Sequence, residues 1–231
     1  MTAARFEETR AYVLDLLGRK LPEQLHYHGI HHTRDDVFPA IERLAALAGL
    51  KDNEFLLLRT AVIYHDVGYI EQYTDNEPIA ARIAGETLPG FGYTAEQIKT
   101  IQELILATAV PYSPRNLLEQ LIRDAALDSL GRENFFETSH NLWLELFARG
   151  NQIPIRDWYE IQLNFLARHE FHTQAARSLR DATKRQNLEE LKRRIGKMDQ
   201  RERMPDKSEP NQDPTVEPVH QKTHFLSQLQ F

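Results

Sequence analysis

The sequence predicts an all-α protein, and three observations carry that reading. Apolar residues recur at three- and four-residue spacing through most of residues 1–195. No segment in that span alternates as a strand would. Glycine, proline and capping residues divide the periodic stretches into roughly eight or nine helical lengths. The chain has 231 residues, enough for one sizeable core and too few for two full domains.

The helices follow in order. Phe6, Val13, Leu16 and Leu17 mark the first, over 4–19, and Pro22 marks its exit. Val37, Ile41, Leu44, Leu47 and Ala48 mark the second, closed by Gly49. Pro39 leaves its start open: regular helix begins near Asp35–Asp36, or it begins at Thr33 and kinks. Asp52 is placed as the cap of the third, which runs through Leu56-Leu57-Leu58 and Ala61-Val62-Ile63 to His65-Asp66, with Gly68 as its terminating residue.

After a polar loop a fourth helix is expected over 76–87, with Pro78 in its first turn. Leu88-Pro89-Gly90-Phe91-Gly92 is a break. Thr94 caps the fifth, and Gln97 three residues on completes a capping box. The sixth is expected over 115–130, ended by Gly131, and the seventh over 133–148. From 155 to 195 the pattern is helical throughout, as two helices meeting near Thr173. Beyond Gly196 the composition turns polar, with almost no apolar residue before Phe225, so 198–231 is expected to be a disordered tail after a domain of 1–197.

Composition excludes several classes. Without cysteine there are neither disulfides nor thiolate metal sites, and a cytoplasmic location is the simplest expectation. No stretch approaches the ~18 consecutive apolar residues of a membrane span, and Met1–Glu8 lacks the apolar core of a secretory signal. A net charge of −6 argues against a general nucleic-acid binder.

The chemistry is expected where polar residues interrupt apolar faces. His65-Asp66 follows a long apolar run, and an unpaired buried polar group costs roughly 1–3 kcal/mol. Either the histidine is a hydrogen-bonded core residue with Asp66 as its partner, or a divalent cation compensates both. Upstream, Leu25-His26-Tyr27-His28-Gly29-Ile30-His31-His32 puts four histidines within seven positions. Downstream, Asp124 lies among the apolar residues of the sixth helix, with Asp128 one turn later on the same face. Imidazole and carboxylate without thiolate suit Mn, Fe, Ni, Co, Zn or, with more carboxylate, Mg. Neighbouring helix residues diverge by ~100°, so His65 and Asp66 can share one ion only at a place such as a fraying helix end.

His32, then His65-Asp66 after 33 residues, then a helical aspartate some 58 residues later, on a helical background, resembles the HD superfamily of metal-dependent phosphohydrolases. Tyr27-His28-Gly29-Ile30-His31-His32, His65-Asp66-Val67-Gly68-Tyr69 and the Asn76-Glu77 pair are similar to the family's motifs, and the resemblance spans roughly 20–195. It implies an HD-domain helical bundle in which His32, His65, Asp66 and an aspartate of the sixth helix bind a divalent ion. It implies further that the ion polarises a phosphoryl oxygen and activates a water for attack on phosphorus. His28 could then protonate the leaving oxygen, and Glu77 could orient the water. The plainer roles are a partly exposed loop histidine for His28 and a first-turn carboxylate serving its own helix dipole for Glu77.

Nucleotides or other small phosphorylated metabolites are the substrates that the resemblance implies. Arg34, Arg115 and Arg123 are candidate phosphate contacts, although most helical arginines face water. One departure stands out. Many relatives read Asp-Ala-Asp where this chain reads Asp124-Ala125-Ala126, and loss of a ligand at 126 would weaken or abolish metal binding. Asp124, on the apolar side, is taken as the fourth ligand, with Asp128 on the same face as its fallback. Two competing readings follow: a non-catalytic HD domain that binds a ligand or partner, and a purely structural helical adaptor.

Overall fold

The computed structural model describes residues 4–203. Among them are nine α-helices and no strand: α1 Phe6–Lys20, α2 Phe38–Ala48, α3 Asp52–Tyr64, α4 Asn76–Thr87, α5 Ala95–Leu106, α6 Leu117–Ala126, α7 Phe135–Ala148, α8 Ile155–Arg168 and α9 Gln174–Arg203. Helix α9 continues through 198–203, past the predicted start of the tail. The remainder of that predicted segment, 204–231, lies outside the described residues. No helix among the described residues is long and apolar enough to cross a membrane.

Helix α3 is the centre of the bundle. Leu57, Leu58, Ala61, Val62, Ile63 and Tyr64 are all buried, so it is enclosed nearly all round rather than along one stripe. It packs against α1, α2, α5 and α6, and the shared core continues through Val13, Leu17, Ile41, Leu44, Ile101, Ile105, Leu121 and Ile122. Each large aliphatic side chain fully buried here stabilises the fold by about 1.5–3 kcal/mol. A smaller cluster of Tyr27, Leu142, Leu146 and Trp158 joins the histidine-rich segment to α7 and α8. Within it, Trp158 Nε1 donates to Ser139 Oγ at 3.0 Å.

Local chemistry explains most boundaries. Thr94 Oγ1 accepts from Gln97 N at 3.2 Å while Gln97 Oε1 accepts from Thr94 N at 3.0 Å, the reciprocal box that its sequence predicts. Helix α4 spans the predicted residues, and α6 is shorter than predicted. Asn116 caps α6 through a bond from Glu119 N, and the chain tightens into a 3₁₀ turn over Asp128–Gly131. Helix α3 starts at Asp52 itself, with Lys51 as its cap residue.

The start of the second helix matches neither expected alternative. Helix begins at Ile30, widens into a π-helical stretch over His32–Val37, and resumes α geometry at Phe38. The bond from Phe38 N to Thr33 O spans five residues. Pro39 follows at once, and widening the turns before it relieves the clash that a proline ring makes with the preceding turn.

Candidate metal centre

His65 and Asp66 lie just past the last turn of α3. His65 is the C-cap residue, and Asp66 has left helical geometry at φ −102° and ψ 4°. The next residues form a 3₁₀ turn over Val67–Ile70. Gly68 belongs to that turn and is not the left-handed terminator that the sequence predicted. Its role is close approach: a Cβ there would sit 1.9 Å from Asn76 O, at the start of α4. Asp75, in the left-handed conformation at φ 53°, turns the chain so that Asn76 and Glu77 enter the same region.

Leaving the helix lets the adjacent His65 and Asp66 converge. His65 Nε2 is 3.2 Å from Asp66 Oδ2, and His32 Nε2, arriving from the π-helical stretch, is 3.7 Å from the same oxygen. His32, His65 and Asp66 form a buried group whose ligand atoms all lie within 4.8 Å of one another, so the group could hold a metal ion. Donors about 2.0–2.2 Å from a common ion stand roughly 3–3.5 Å apart, close to the spacing found here.

The hydrogen bonding also fits a cation. His65 Nδ1 lies 2.7 Å from Val62 O, and a carbonyl only accepts, so the proton sits on Nδ1 and the neutral ring presents a lone pair at Nε2. Both His65 Nε2 and Asp66 Oδ2 are buried without a hydrogen-bond partner. A proton on His65 would serve that pair alone, whereas an ion reaches His32 as well. Asp36 Oδ2 lies 3.8 Å from His32 Nδ1, and Arg132 forms a 2.7 Å ion pair with Asp36. At 3.8 Å the carboxylate is not hydrogen-bonded to the ring, and His32 Nδ1, like His65 Nε2 and Asp66 Oδ2, is buried without a hydrogen-bond partner.

Electrostatics follow the same arrangement. Burial disfavours the charged form of His32 and holds it below the ordinary histidine value, despite Asp36 and Asp66. Burial also opposes ionisation of Asp66, but His65, His32 and His28 outweigh it and hold the carboxyl well below its usual range. Glu77 is pushed up, chiefly by burial and further by Asp66 and Asp75.

The group opens into a cavity of about 40 Å³. Besides the donors, it is lined by Tyr27, His28, Tyr69, Asn76, Glu77, Thr108, Ala126 and Leu127. A larger concavity, on α9 beside Ala182 and Glu189, holds none of these donors.

His28 is held by a residue that the sequence reading did not single out. Glu145, fully buried in α7, places Oε1 2.6 Å from His28 Nδ1 and accepts from the Tyr73 hydroxyl at 2.9 Å. Its Oε2 accepts from the backbone N–H of Tyr27 and of His28, each at 2.9 Å. Burial would lower the His28 pKa, but Glu145 reverses this and holds it above the ordinary value. The ring stacks on Tyr69 with centroids 4.4 Å apart. The available signal was a lone acid in the apolar run Leu142-Trp143-Leu144-Glu145-Leu146-Phe147.

Other predicted residues lie elsewhere. Asp124 is buried but outside the ligand group. Its Oδ1 accepts from His172 N at 2.8 Å, and its Oδ2 accepts from Thr173 N at 2.8 Å and Thr173 Oγ1 at 2.7 Å. It fastens the α8–α9 junction to α6. The fallback, Asp128, receives Arg180 at 2.6 and 2.9 Å and is likewise outside the group. The residues of this segment that do line the cavity are Ala126 and Leu127.

The arginines are committed too. Arg34 is exposed and pairs with Asp35 at 2.7 Å, Arg115 pairs with the buried Glu119 at 2.9 Å, and Arg123 donates to Ala107 O and Ala109 O. None of the three lines the cavity. No family model matches the chain, and neither does any curated protein or solved structure.

Proposed function

We propose that this chain is a metal-dependent phosphohydrolase of HD type, acting on the phosphoester of a nucleotide or other small phosphorylated metabolite. The observation that carries the reading is the pair of buried, partnerless atoms His65 Nε2 and Asp66 Oδ2, with His32 Nε2 in reach of the same point. When bound there, a divalent ion supplies Lewis-acid activation of a water and of a phosphoryl oxygen.

The chain's own residues do the rest. Glu145 occupies the Nδ1 side of His28, leaving Nε2 as the nitrogen that can pass a proton to the leaving oxygen. Glu145 holds the His28 pKa above the ordinary value, which favours the protonated form. No arginine or lysine lines the cavity, so its cationic groups are histidines. A water needs about 10–15 Å³, so the cavity accepts a phosphoryl oxygen and excludes a nucleobase, which stays outside.

The test combines metal analysis of the purified protein with hydrolysis of a panel of nucleotides and sugar phosphates. The expected result is stoichiometric metal, or uptake of added Mn²⁺ or Ni²⁺, with hydrolysis that His65→Ala and Asp66→Ala both abolish. Failure of the wild type to bind any of these ions rules the reading out. Ala126 favours a second reading, an HD domain that binds metal and a ligand without turnover. Metal uptake with no hydrolysis of any substrate in the panel selects that one.

A further inference from the structure

Helix α7 carries an aromatic row that the bundle leaves partly uncovered. His140, Trp143 and Phe147 recur at three- and four-residue spacing and so share one face. Their rings form a continuous line: the His140 and Trp143 centroids are 5.4 Å apart, and those of Trp143 and Phe147 are 5.7 Å apart. His140 is exposed and Trp143 half-buried. Phe147 is 50% exposed, the one aromatic residue among the exposed large hydrophobics of the described chain. Lone exposed apolar residues need no explanation, whereas a contiguous apolar row marks a contact surface.

Two observations say what covers it. The first is where the described chain stops. Arg156, in the first turn of α8, pairs with Asp199 of α9 at 2.8 Å, which ties the end of α9 to the start of α8. Trp143 Nε1 donates to Ile153 O at 2.8 Å, just before that same turn. Arg203 lies one helical turn beyond Asp199, about 6 Å along the axis, so α9 ends near the stretch of chain that touches Trp143.

The second is the sequence that follows. Residues 204–224 are mostly polar and contain four prolines. Then His224-Phe225-Leu226-Ser227-Gln228-Leu229-Gln230-Phe231 supplies four large apolar side chains with no acid, lysine or arginine among them. Leu229 stands three and four residues after Leu226 and Phe225, the anchor spacing with which peptides fill apolar grooves.

We propose that residues 225–231 dock, within the same chain, on the His140–Trp143–Phe147 face of α7. Chain length permits it: a coil of the 21 residues from Met204 to His224 spans about 25 Å. A tether of that size holds its end at a local concentration on the order of 1 mM. A segment that binds the free face with a Kd of about 0.1 mM in trans then occupies it roughly nine-tenths of the time in cis. Modest apolar contact is therefore enough, and any outside ligand for this face must compete with a segment always at hand.

The test uses thiols, because the chain has no cysteine of its own. Ala148→Cys, exposed beside Phe147, and Ser227→Cys put one thiol on each side of the contact. In the full chain at low concentration, mild oxidation is expected to close the disulfide within one molecule. Adding Phe225→Ser and Leu229→Ser keeps the tether and both thiols, and is expected to slow closure at least tenfold. Acrylamide quenching gives a second reading without cysteine. Of the two tryptophans Trp158 is fully buried, so the quencher reports on Trp143. Phe225→Ser with Leu229→Ser is expected to raise quenching at least twofold over wild type. Equal closure rates with and without the two serines overturn the proposal, as does equal quenching. A disulfide that forms only between molecules gives the face to a second copy and overturns docking within one chain.

Discussion

Replacing Glu145 by glutamine tests the buried support of His28 with almost no change of shape. Glu145 is fully buried and faces four donors: the Tyr27 and His28 amides, His28 Nδ1 and the Tyr73 hydroxyl. A glutamine carbonyl can replace one carboxylate oxygen and keep the two donors on that side. Its amide nitrogen, itself a donor, then faces the other two. Two unpaired buried donors at about 1–3 kcal/mol each give roughly 2–6 kcal/mol, and breaking a buried ion pair by removing one partner costs about 3–5 kcal/mol.

We therefore predict a loss of about 3–5 kcal/mol in urea unfolding. At roughly 2–4 °C per kcal/mol for a chain of this size, the melting temperature falls by about 6–20 °C. The pH dependence has a definite sign. His28 is raised above 6.5, so its share is full below that value and disappears as pH rises through its folded pKa. Glu145 is lowered from 4.5, mainly by His28 working against burial, so its share is full above 4.5 and disappears as pH falls through its folded pKa. The gap between wild type and variant is widest between these limits. Imidazole titration by NMR provides the second readout, with His28 expected to drop in the variant because burial then loses its chief opponent and only Asp66 still works against it. A variant within 1 kcal/mol of wild type, with His28 titrating as before, would refute the pairing.

Asp124→Ala should cost about 2–4 kcal/mol by unpairing Thr173 and His172, yet leave Mn²⁺ affinity within about twofold; a tenfold loss in a metal titration would restore it as a ligand. Gly68→Ala forces a Cβ against Asn76 O and should destabilise by at least about 2 kcal/mol, because the atoms it meets are all backbone and cannot swing away. Equal melting curves for that variant and wild type would contradict the close approach. His169 is pushed down to about 3, by burial first and then by Lys184. The unfolded chain therefore binds the extra proton between about 6.5 and 3, and stability drains away as pH falls through that window. His169→Phe should flatten the stability profile there by about 1–3 kcal/mol, and an unchanged acid limb in urea titrations from pH 7 to 4 would rule this out.

The sequence made the helices legible because they are written in local spacing, whereas His32 joined His65-Asp66, 33 residues on, only through the family resemblance. The apolar run into His65-Asp66 announced a helix end that needs compensation, and Thr94 and Gln97 announced a cap. The partners of buried carboxylates were not legible. Asp124 on an apolar face implies that something satisfies it, but its partners, His172 and Thr173, lie 48 and 49 residues further on. Only the packing of α9 beside α6 decides between a backbone amide and a metal. Glu145 hid for the same reason, since its partners are 117 and 118 residues upstream. The π-helical stretch before Pro39 was half legible: proline signals a disturbance but not whether the chain breaks, kinks or widens.

The long reach of Glu145 bears on the order in which the centre can form during synthesis. All three candidate metal donors lie within residues 32–66, whereas the carboxylate that fixes His28 comes from residue 145. A chain emerging N-terminus first therefore presents the donors well before α7 exists to steady the neighbouring loop. At that stage the three candidate donors depend on the π-helical stretch before α2 and on the end of α3 alone, and His28 gains its Glu145 partner only after α7 has docked. Pulse-labelled metal uptake on nascent chains stalled before and after residue 145 would reveal whether these two events are separated in time.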